Sequence, residues 1–324
     1  MTFKKLLAAC SIALSFATSA HAQDWPQKTV SFIVPFPAGG STDMVARAIA
    51  PKLGEKLGQT FLVDNKAGAT GTIGATQVKR SAPDGYTFLV TSLGPLVIAP
   101  HLIKGMQYDA LKDFDLITVA VQAPNVLVVP ANSPHKTMAD LIASLKANPG
   151  KMTFASSGNG SSDHLTAELF WQQTGTQGLH VPYKGGAPAI TDLLGGQVDM
   201  MFATASAVGN LLEAGKLRAL GVTTSQRSTS PDLAKVPTIA ESGVPGYAAE
   251  SWYGLFAPAG TPPAVVARLN AAARKAVTAE AFRKRADAEG LIVSPGTPED
   301  FGRYVHGEET RWSKVVKDAR ITLN

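Results

Sequence analysis

The chain has 324 residues, of which 45% are hydrophobic and 17% charged, with a formal net charge of +5. That length suits about two domains of ~100 to 200 residues, and the composition excludes disordered, collagen-like and coiled-coil chains. The charge supports no nucleic-acid partner: with residues 1–22 set aside, 28 basic residues face 25 acidic ones.

Those first 22 residues read as a secretory signal. Lys4 and Lys5 precede the largely apolar run "LLAACSIALSFATSA", and "AHA" at Ala20 to Ala22 puts small residues where a signal peptidase cuts. Cleavage after Ala22 would release a soluble chain outside the cytoplasm. "LAAC" at Leu7 to Cys10 is similar to a lipoprotein box, but too few apolar residues precede it for an h-region of ~7 to 15, so acylation at Cys10 is the weaker alternative. Cys10 is the single cysteine, so the mature chain would hold no disulfide, thiol nucleophile or thiolate metal site. No later run offers the ~18 consecutive apolar residues of a membrane-spanning helix.

Short β-branched runs then alternate with segments of helical period. In chain order they are "TVSFIVP" then 41–57, "TFLVD" then 71–80, and "YTFLVT" then a less regular stretch. A long extended passage follows, "FDLITVAVQAPNVLVVP", broken only by Ala123 and Pro124. The alternation resumes with "MTFASS" then 161–174, "LHVPY" then 186–194, "VDMMFA" then 206–214, and "LRALGVTT". These runs suit parallel strands covered on both faces, hence an α/β fold that repeats one βαβ architecture twice. "TTSQRSTSPDLAKVPTIAESGVPGY" includes Val236, Ile239 and Val244 and reads as an ordered loop. A second extended passage, "ESWYGLFAPAGTPP", leads to helices at roughly 262–289 and 297–318. The two extended passages are expected to cross between lobes. Residues 23–123 plus 255–324 would form lobe 1 and residues 124–254 lobe 2, with the last helices packed on lobe 1.

Two glycine-rich loops stand at corresponding places in this repeat. "FPAGGSTD" follows the first strand, and Gly39 and Gly40 allow close backbone approach beside the unpaired N–H groups of a helix starting near Ser41 to Asp43. "FASSGNGSSDHLTAELF" offers the same in the second lobe, with Gly158, Asn159 and Gly160 before a helix from about Ser161. Helix starts of this kind bind anions, and hydroxyls of Ser41, Thr42, Ser156, Ser157, Ser161 and Ser162 add neutral donors for a carboxylate. The plainer reading of either loop alone is a capping serine beside a tight turn. A matching pair favours two jaws of one cleft.

Other residues weigh less. His164 near the second helix start could reach a bound anion or be satisfied by its neighbours. Asp43 and Arg47, four apart, read as a surface ion pair. Asp199 would stand at a strand end by the cleft, able to hold a ligand amine, or would cap the next turn. "GATGTIG", Gly68 to Gly74, lacks dinucleotide-fingerprint spacing and reads as a loop with close helix packing. No P-loop lysine, G-x-S-x-G elbow or H-E-x-x-H pair occurs, so neither catalysis nor a metal is expected.

Together "VPFPAGGSTDMVAR", "SSGNGSSDHLTAELF", "VPYKGGAPAITDLLGGQVDMMF", "VPTIAESGVPGY" and "SWYGLFAPAGTPPAVVARLN" resemble the Bug or TctC-like substrate-binding receptors of tripartite tricarboxylate transporters. The resemblance implies a periplasmic location and a type II-like, two-lobe periplasmic binding protein fold. Each lobe would be a mainly parallel sheet flanked by helices, with two crossover strands at the hinge. It implies a monomer without cofactor that closes on a small organic acid, a mono- or dicarboxylate, amino acids and aromatic acids included, and delivers it to membrane permease subunits. The ligand would meet Phe36, Ala38 and the residues up to Thr42, Ser156 to Ser162, Tyr183, Asp199 and the "FATAS" strand end that includes Ala203. Thr91 and Ser92 would add contacts, although "TSLGPLVIAP" departs from the family's usual polar segment there. A ligand sensor of the same fold and a secreted serine hydrolase are the other classes. A sensor would differ only in its partner; a hydrolase would turn over a chromogenic ester.

Overall fold

The structure is a computed structural model that describes residues 25–321, with Gly40, Thr229 and Asp232 excepted. The expected signal segment and its cleavage site lie outside the described residues.

The first sheet grows from β1 (Val30–Val34), which pairs in parallel with β2 (Phe61–Asn65) on one side and β3 (Thr87–Ser92) on the other. Helices α1 (Ser41–Leu57) and α2 (Thr72–Lys79) make the crossovers. Side chains alternate along β1, so Val30, Phe32 and Val34 share a buried cluster with Val45, Ile49 and Leu53, which recur at helical spacing on α1. Ile33, between them, points into the core on the other face.

The 17-residue β4 (Phe114–Pro130) links this sheet to the second. Up to Pro124 it runs antiparallel to β9 (Glu250–Pro258), and from Asn125 antiparallel to β7 (Met200–Thr204). Pro124 has no N–H to lose from a ladder, so the change of partner there costs little. The second sheet continues from β7 to β5 (Thr153–Ser156) and β6 (Leu179–Pro182), all parallel. Helices α3 (Met138–Ala147), α4 (Ser162–Thr174), α5 (Gly186–Leu194) and α6 (Ala205–Glu213) flank it.

Two expectations need correction. β8 (Leu217–Val222) joins no parallel ladder; it pairs antiparallel with β4. It runs in the same direction as β7, but β4 lies between the two and runs the other way. The helix expected at 262–289 is two, α7 (Pro263–Thr278) and α8 (Glu280–Ala288), separated at Ala279, whose φ −63° and ψ 143° are extended. After a short β10 (Ile292–Val293) comes α9 (Pro298–Asp318). It packs on β4 and also against α4, where Gln172 Nε2 donates to the Val315 carbonyl at 3.1 Å. Phe301, Val305, Trp312 and Val316 of α9 therefore share one core with Leu89 of β3 and Phe170 of α4, and α9 ties both sheets together rather than one.

In the loop before β9, Ile239 and Val244 are buried as expected, whereas Val236 is only half-buried. "GATGTIG" packs closely too: a Cβ on Gly71 would stand 2.5 Å from Pro95 Cγ, and one on Gly74 2.8 Å from Pro35 Cβ.

Candidate functional site

Both glycine-rich loops leave the carboxyl end of a strand and enter a helix, where parallel α/β sheets bind ligands. Their last four residues correspond: Gly40, Ser41, Thr42, Asp43 in one, and Gly160, Ser161, Ser162, Asp163 in the other. The acid that ends each quartet explains how each loop holds its shape.

In the first loop the expected ion pair between Asp43 and the exposed Arg47 is present, but Asp43 itself is only 2% exposed, so the pair is not confined to the surface. Its Oδ2 accepts from Gly39 N–H and from Arg47 Nε, each at 2.9 Å, and its Oδ1 accepts from Asn65 Nδ2 at 2.9 Å. Asn65, at the end of β2, also donates to the Phe36 carbonyl at 3.0 Å. Burial works against the charge of Asp43, but the hydrogen bonds from Arg47, Gly39 and Asn65 outweigh it and hold the carboxyl below its usual range.

In the second loop Asp163, 6% exposed, accepts from Ser157 N–H at 2.7 Å and from Ser157 Oγ at 2.8 Å. Ser161 Oγ donates to the Gly158 carbonyl at 2.6 Å and caps α4 by accepting from His164 N–H. Gly158 and Gly160 have φ of +140° and +73°, so this turn requires glycine. His164 does not reach toward an anion. It is buried, Gly160 N–H donates to its Nδ1 at 3.1 Å, and its ring stacks on His180 at 3.9 Å between centroids. His180 Nε2 in turn lies 2.6 Å from Ser156 Oγ. Burial first, and the His164 ring second, pull His180 down to about 4, so it is neutral at pH 7.

The loops face one cavity of about 460 Å³ lined by Phe36, Pro37, Thr42, Thr70, Ser92, Gly94, Pro95, Gly160, Ser161, Ser162, Ser251 and Tyr253. None of these carries a formal charge at pH 7. Thr42 and Ser162 lie in the first turns of α1 and α4, whose N–H groups lack intrahelical partners and whose dipoles each present roughly half a positive charge. The hydroxyls of Thr42, Thr70, Ser92, Ser162 and Ser251 make no hydrogen bond to the described residues. By contrast those of Ser156, Ser157 and Ser161 are spent on holding their own loop.

Of the residues expected here, Phe36, Thr42, Ser92, Gly160, Ser161 and Ser162 line the cavity. Gly40 lies outside the described residues, and Ser41 opens α1. Ala38, Gly39, Ser156, Ser157, Gly158 and Asn159 shape the loops without lining the cavity.

Five further expected residues do not line this cavity. Thr91 is fully buried on the face of β3 opposite Ser92, because neighbours on a strand point to opposite sides. Asp199 precedes β7 and accepts from Thr153 N–H at 2.7 Å at the start of β5, so it stands at the amino ends of the strands while the cavity lies at their carboxyl ends. Tyr183 gives its hydroxyl to Asp192 at 2.7 Å. Ala203 is buried in β7 opposite Val126. His164 supports the loop from beneath, as described.

Pro37 lies within the expected first loop, whereas Thr70, Gly94, Pro95, Ser251 and Tyr253 were not expected at the cavity. Thr70 holds the left-handed conformation at φ +56°, uncommon for a β-branched residue. Ser251 and Tyr253 alternate on β9, and register places Tyr253 opposite Ser92. All of them lie in quoted motifs, "GATGTIG" for Thr70, "TSLGPLVIAP" for Gly94 and Pro95 and "ESWYGLFAPAGTPP" for Ser251 and Tyr253, but nothing in those motifs marks them as cavity residues.

A cavity walled by two matching helix starts, one from each sheet, with both sheets joined by crossover strands, defines a two-lobe solute-binding receptor. The chain belongs to the tripartite tricarboxylate transporter family receptors, whose family model matches residues 45–321. Protein BugT of Bordetella pertussis is 37% identical over 327 residues, covering 100% of both chains. The structure of R. palustris Rpa4515 with adipate is 40% identical, with a TM-score of 0.79, covering 92% of this chain and 100% of that one. MatC from Rhodopseudomonas palustris with bound malate is 34% identical, with a TM-score of 0.75, covering 90% and 100%.

Proposed function

We propose that this protein captures a small carboxylated metabolite in the cavity between its two loops and delivers it, chemically unchanged, to the membrane subunits of a tripartite tricarboxylate-type transporter. The observation that carries this reading is the matched pair of helix starts, whose free hydroxyls Thr42 and Ser162 line one cavity. Two helix dipoles and neutral donors hold an anion without a counter-cation. The adipate and malate in the Rpa4515 and MatC structures are both carboxylates, which supports the same ligand class here.

Signal cleavage after Ala22 and residence in the periplasm belong to this reading. So does the division into lobe 1 (23–123 plus 255–324) and lobe 2 (124–254), which the change of β4 partners after Pro124 supports.

Thermal unfolding with a panel of mono- and dicarboxylates and their amides tests it. An acid at 100 times its Kd adds ~2.7 kcal/mol to native stability, which raises Tm by several degrees. The acid should be recovered unchanged after incubation with excess protein, and its amide should give no shift. Equal shifts from acid and amide, or loss of the acid beyond stoichiometry, would refute the proposal.

A further inference from the structure

The turn from β2 into α2 runs through Gly68, Ala69, Thr70 and Gly71, whose φ angles are +136°, +46°, +56° and +88°. Packing accounts for the two glycines. A Cβ on Gly68 would stand 2.5 Å from Ile73 Cδ1, and one on Gly71 would stand 2.5 Å from Pro95 Cγ and 3.4 Å from Phe36 Cζ. Gly71 N–H closes the turn by donating to the Gly68 carbonyl at 2.9 Å, and Thr72 Oγ1 donates to the Ala69 carbonyl at 2.9 Å. The turn is thus wedged against Phe36 and Pro95, which both line the cavity.

Glycine would hold positions 69 and 70 at the least cost, because the left-handed region brings the Cβ of an L-residue too close to the following carbonyl oxygen. Ala69 meets that cost with the smallest side chain that has a Cβ. Thr70 meets a larger one, since a β-branched residue is an outlier there. Nothing within the fold offsets it. Thr70 is exposed, and its hydroxyl bonds to none of the described residues, whereas the hydroxyl of Thr72 is used to close the turn. What Thr70 does have is a place on the cavity wall. Backbone strain of this kind gathers at ligand clamps, where the surrounding packing holds a side chain in the aim the ligand requires.

From this we infer that Thr70 is a ligand contact, whose hydroxyl donates to an oxygen of the bound acid and whose left-handed turn holds it in that aim. The inference rests on the reading of the cavity as a carboxylate site. The site then draws on a third loop, the one after β2, besides the two helix starts.

Substitutions separate the hydroxyl from the turn that carries it. Thr70→Val keeps the branched shape and removes the hydroxyl, and Thr70→Ser keeps the hydroxyl and lightens the strain. Ala69→Gly relaxes the turn one residue away, outside the cavity lining. Calorimetric titration uses whichever of succinate, glutarate, adipate and malate raises the Tm of the parent protein most. Thr70→Val should weaken binding at least about tenfold, as the loss of a hydrogen bond to a charged group does, while Thr70→Ser and Ala69→Gly stay within about threefold of the parent. Thr70→Gly should bind as weakly as Thr70→Val, yet without ligand its Tm should match or exceed that of the parent, because glycine removes the left-handed penalty. Binding by Thr70→Val within about threefold of the parent overturns the inference, since the hydroxyl then touches no ligand. So does an equal loss in Ala69→Gly and Thr70→Val, which would assign the effect to the shape of the turn. A fall in the Tm of Thr70→Gly would contradict the strain from which the inference starts. Binding of none of the four acids by the parent overturns the carboxylate site itself, a failure distinct from these.

Discussion

Asp43→Ala separates a keystone of the first loop from a surface ornament. The carboxylate accepts three hydrogen bonds, from the Gly39 main chain, Arg47 and Asn65. Hydrogen bonds to a charged group are worth ~1.5 to 3 kcal/mol each. Two discounts apply, since the variant also removes the cost of burying a charge, and water can reach the exposed Gly39 and Arg47. A loss of roughly 2 to 3 kcal/mol is therefore expected, which for a chain of this size lowers Tm by about 4 to 10 °C. Because Gly39 is then untethered, affinity for the carboxylate ligand should fall at least tenfold. Urea unfolding followed by tryptophan fluorescence is a suitable assay, since Trp25, Trp171, Trp252 and Trp312 are all buried. Glu55→Ala serves as the control, because its partner Lys52 is an exposed neighbour three residues away and such pairs contribute little. Were Asp43→Ala to match Glu55→Ala in both stability and ligand affinity, Asp43 would be the surface ion-pair residue that its spacing to Arg47 first suggests.

Other expectations follow from the buried titratable groups. His180 is held near 4 against a usual 6.5, so its contribution to stability is full above pH 6.5 and is lost as pH falls from there toward 4. With its partial exposure discounted, roughly 1 to 2 kcal/mol should disappear over that range, and ligand affinity should weaken with the second loop. Urea midpoints of His180→Gln should change less between pH 7 and 4.5 than those of the parent, and parallel profiles would refute the assignment. In α9, Glu308 is buried against Arg311 and accepts from Trp312 Nε1 at 3.1 Å, and burial first pushes its carboxyl above the usual range despite the pull of Arg311. Arg311→Met should cost ~3 to 5 kcal/mol at pH 7. The cost should shrink as pH falls, because a carboxyl with a raised pKa takes up its proton at a higher pH than an ordinary one, and calorimetric unfolding across a pH series would expose a constant cost.

The repeating βαβ alternation was legible because period-2 and period-3.6 patterns are local properties of the chain. Val30, Phe32 and Val34 announce β1, and 41–57 announces α1, without knowledge of anything distant. Partner identity was not legible in the same way. The direction of β8 could be read, but that β4 lies between β7 and β8 is a fact of topology. The site divided along the same line. Phe36 and Thr42 in the first loop, and Ser161 and Ser162 in the second, follow from the helix starts they stand beside. Ser251 and Tyr253 sit on a crossover strand buried on both faces, where periodicity gives no sign of which face meets a cavity. Asp43 and Asp163 were readable in principle from the repeated Gly-Ser-Thr/Ser-Asp quartet, but the i to i+4 spacing of Asp43 and Arg47 offered a simpler local explanation, an ion pair that does form but is one of three bonds to a buried carboxylate.

A crystal structure of the protein with the acid that gives the largest Tm shift tests the central claim most directly. The geometry predicts a carboxylate group between the first turns of α1 and α4, within hydrogen-bond distance of Thr42 and Ser162. An acid bound at another surface, or one that touches a single loop and leaves the other free, would contradict it.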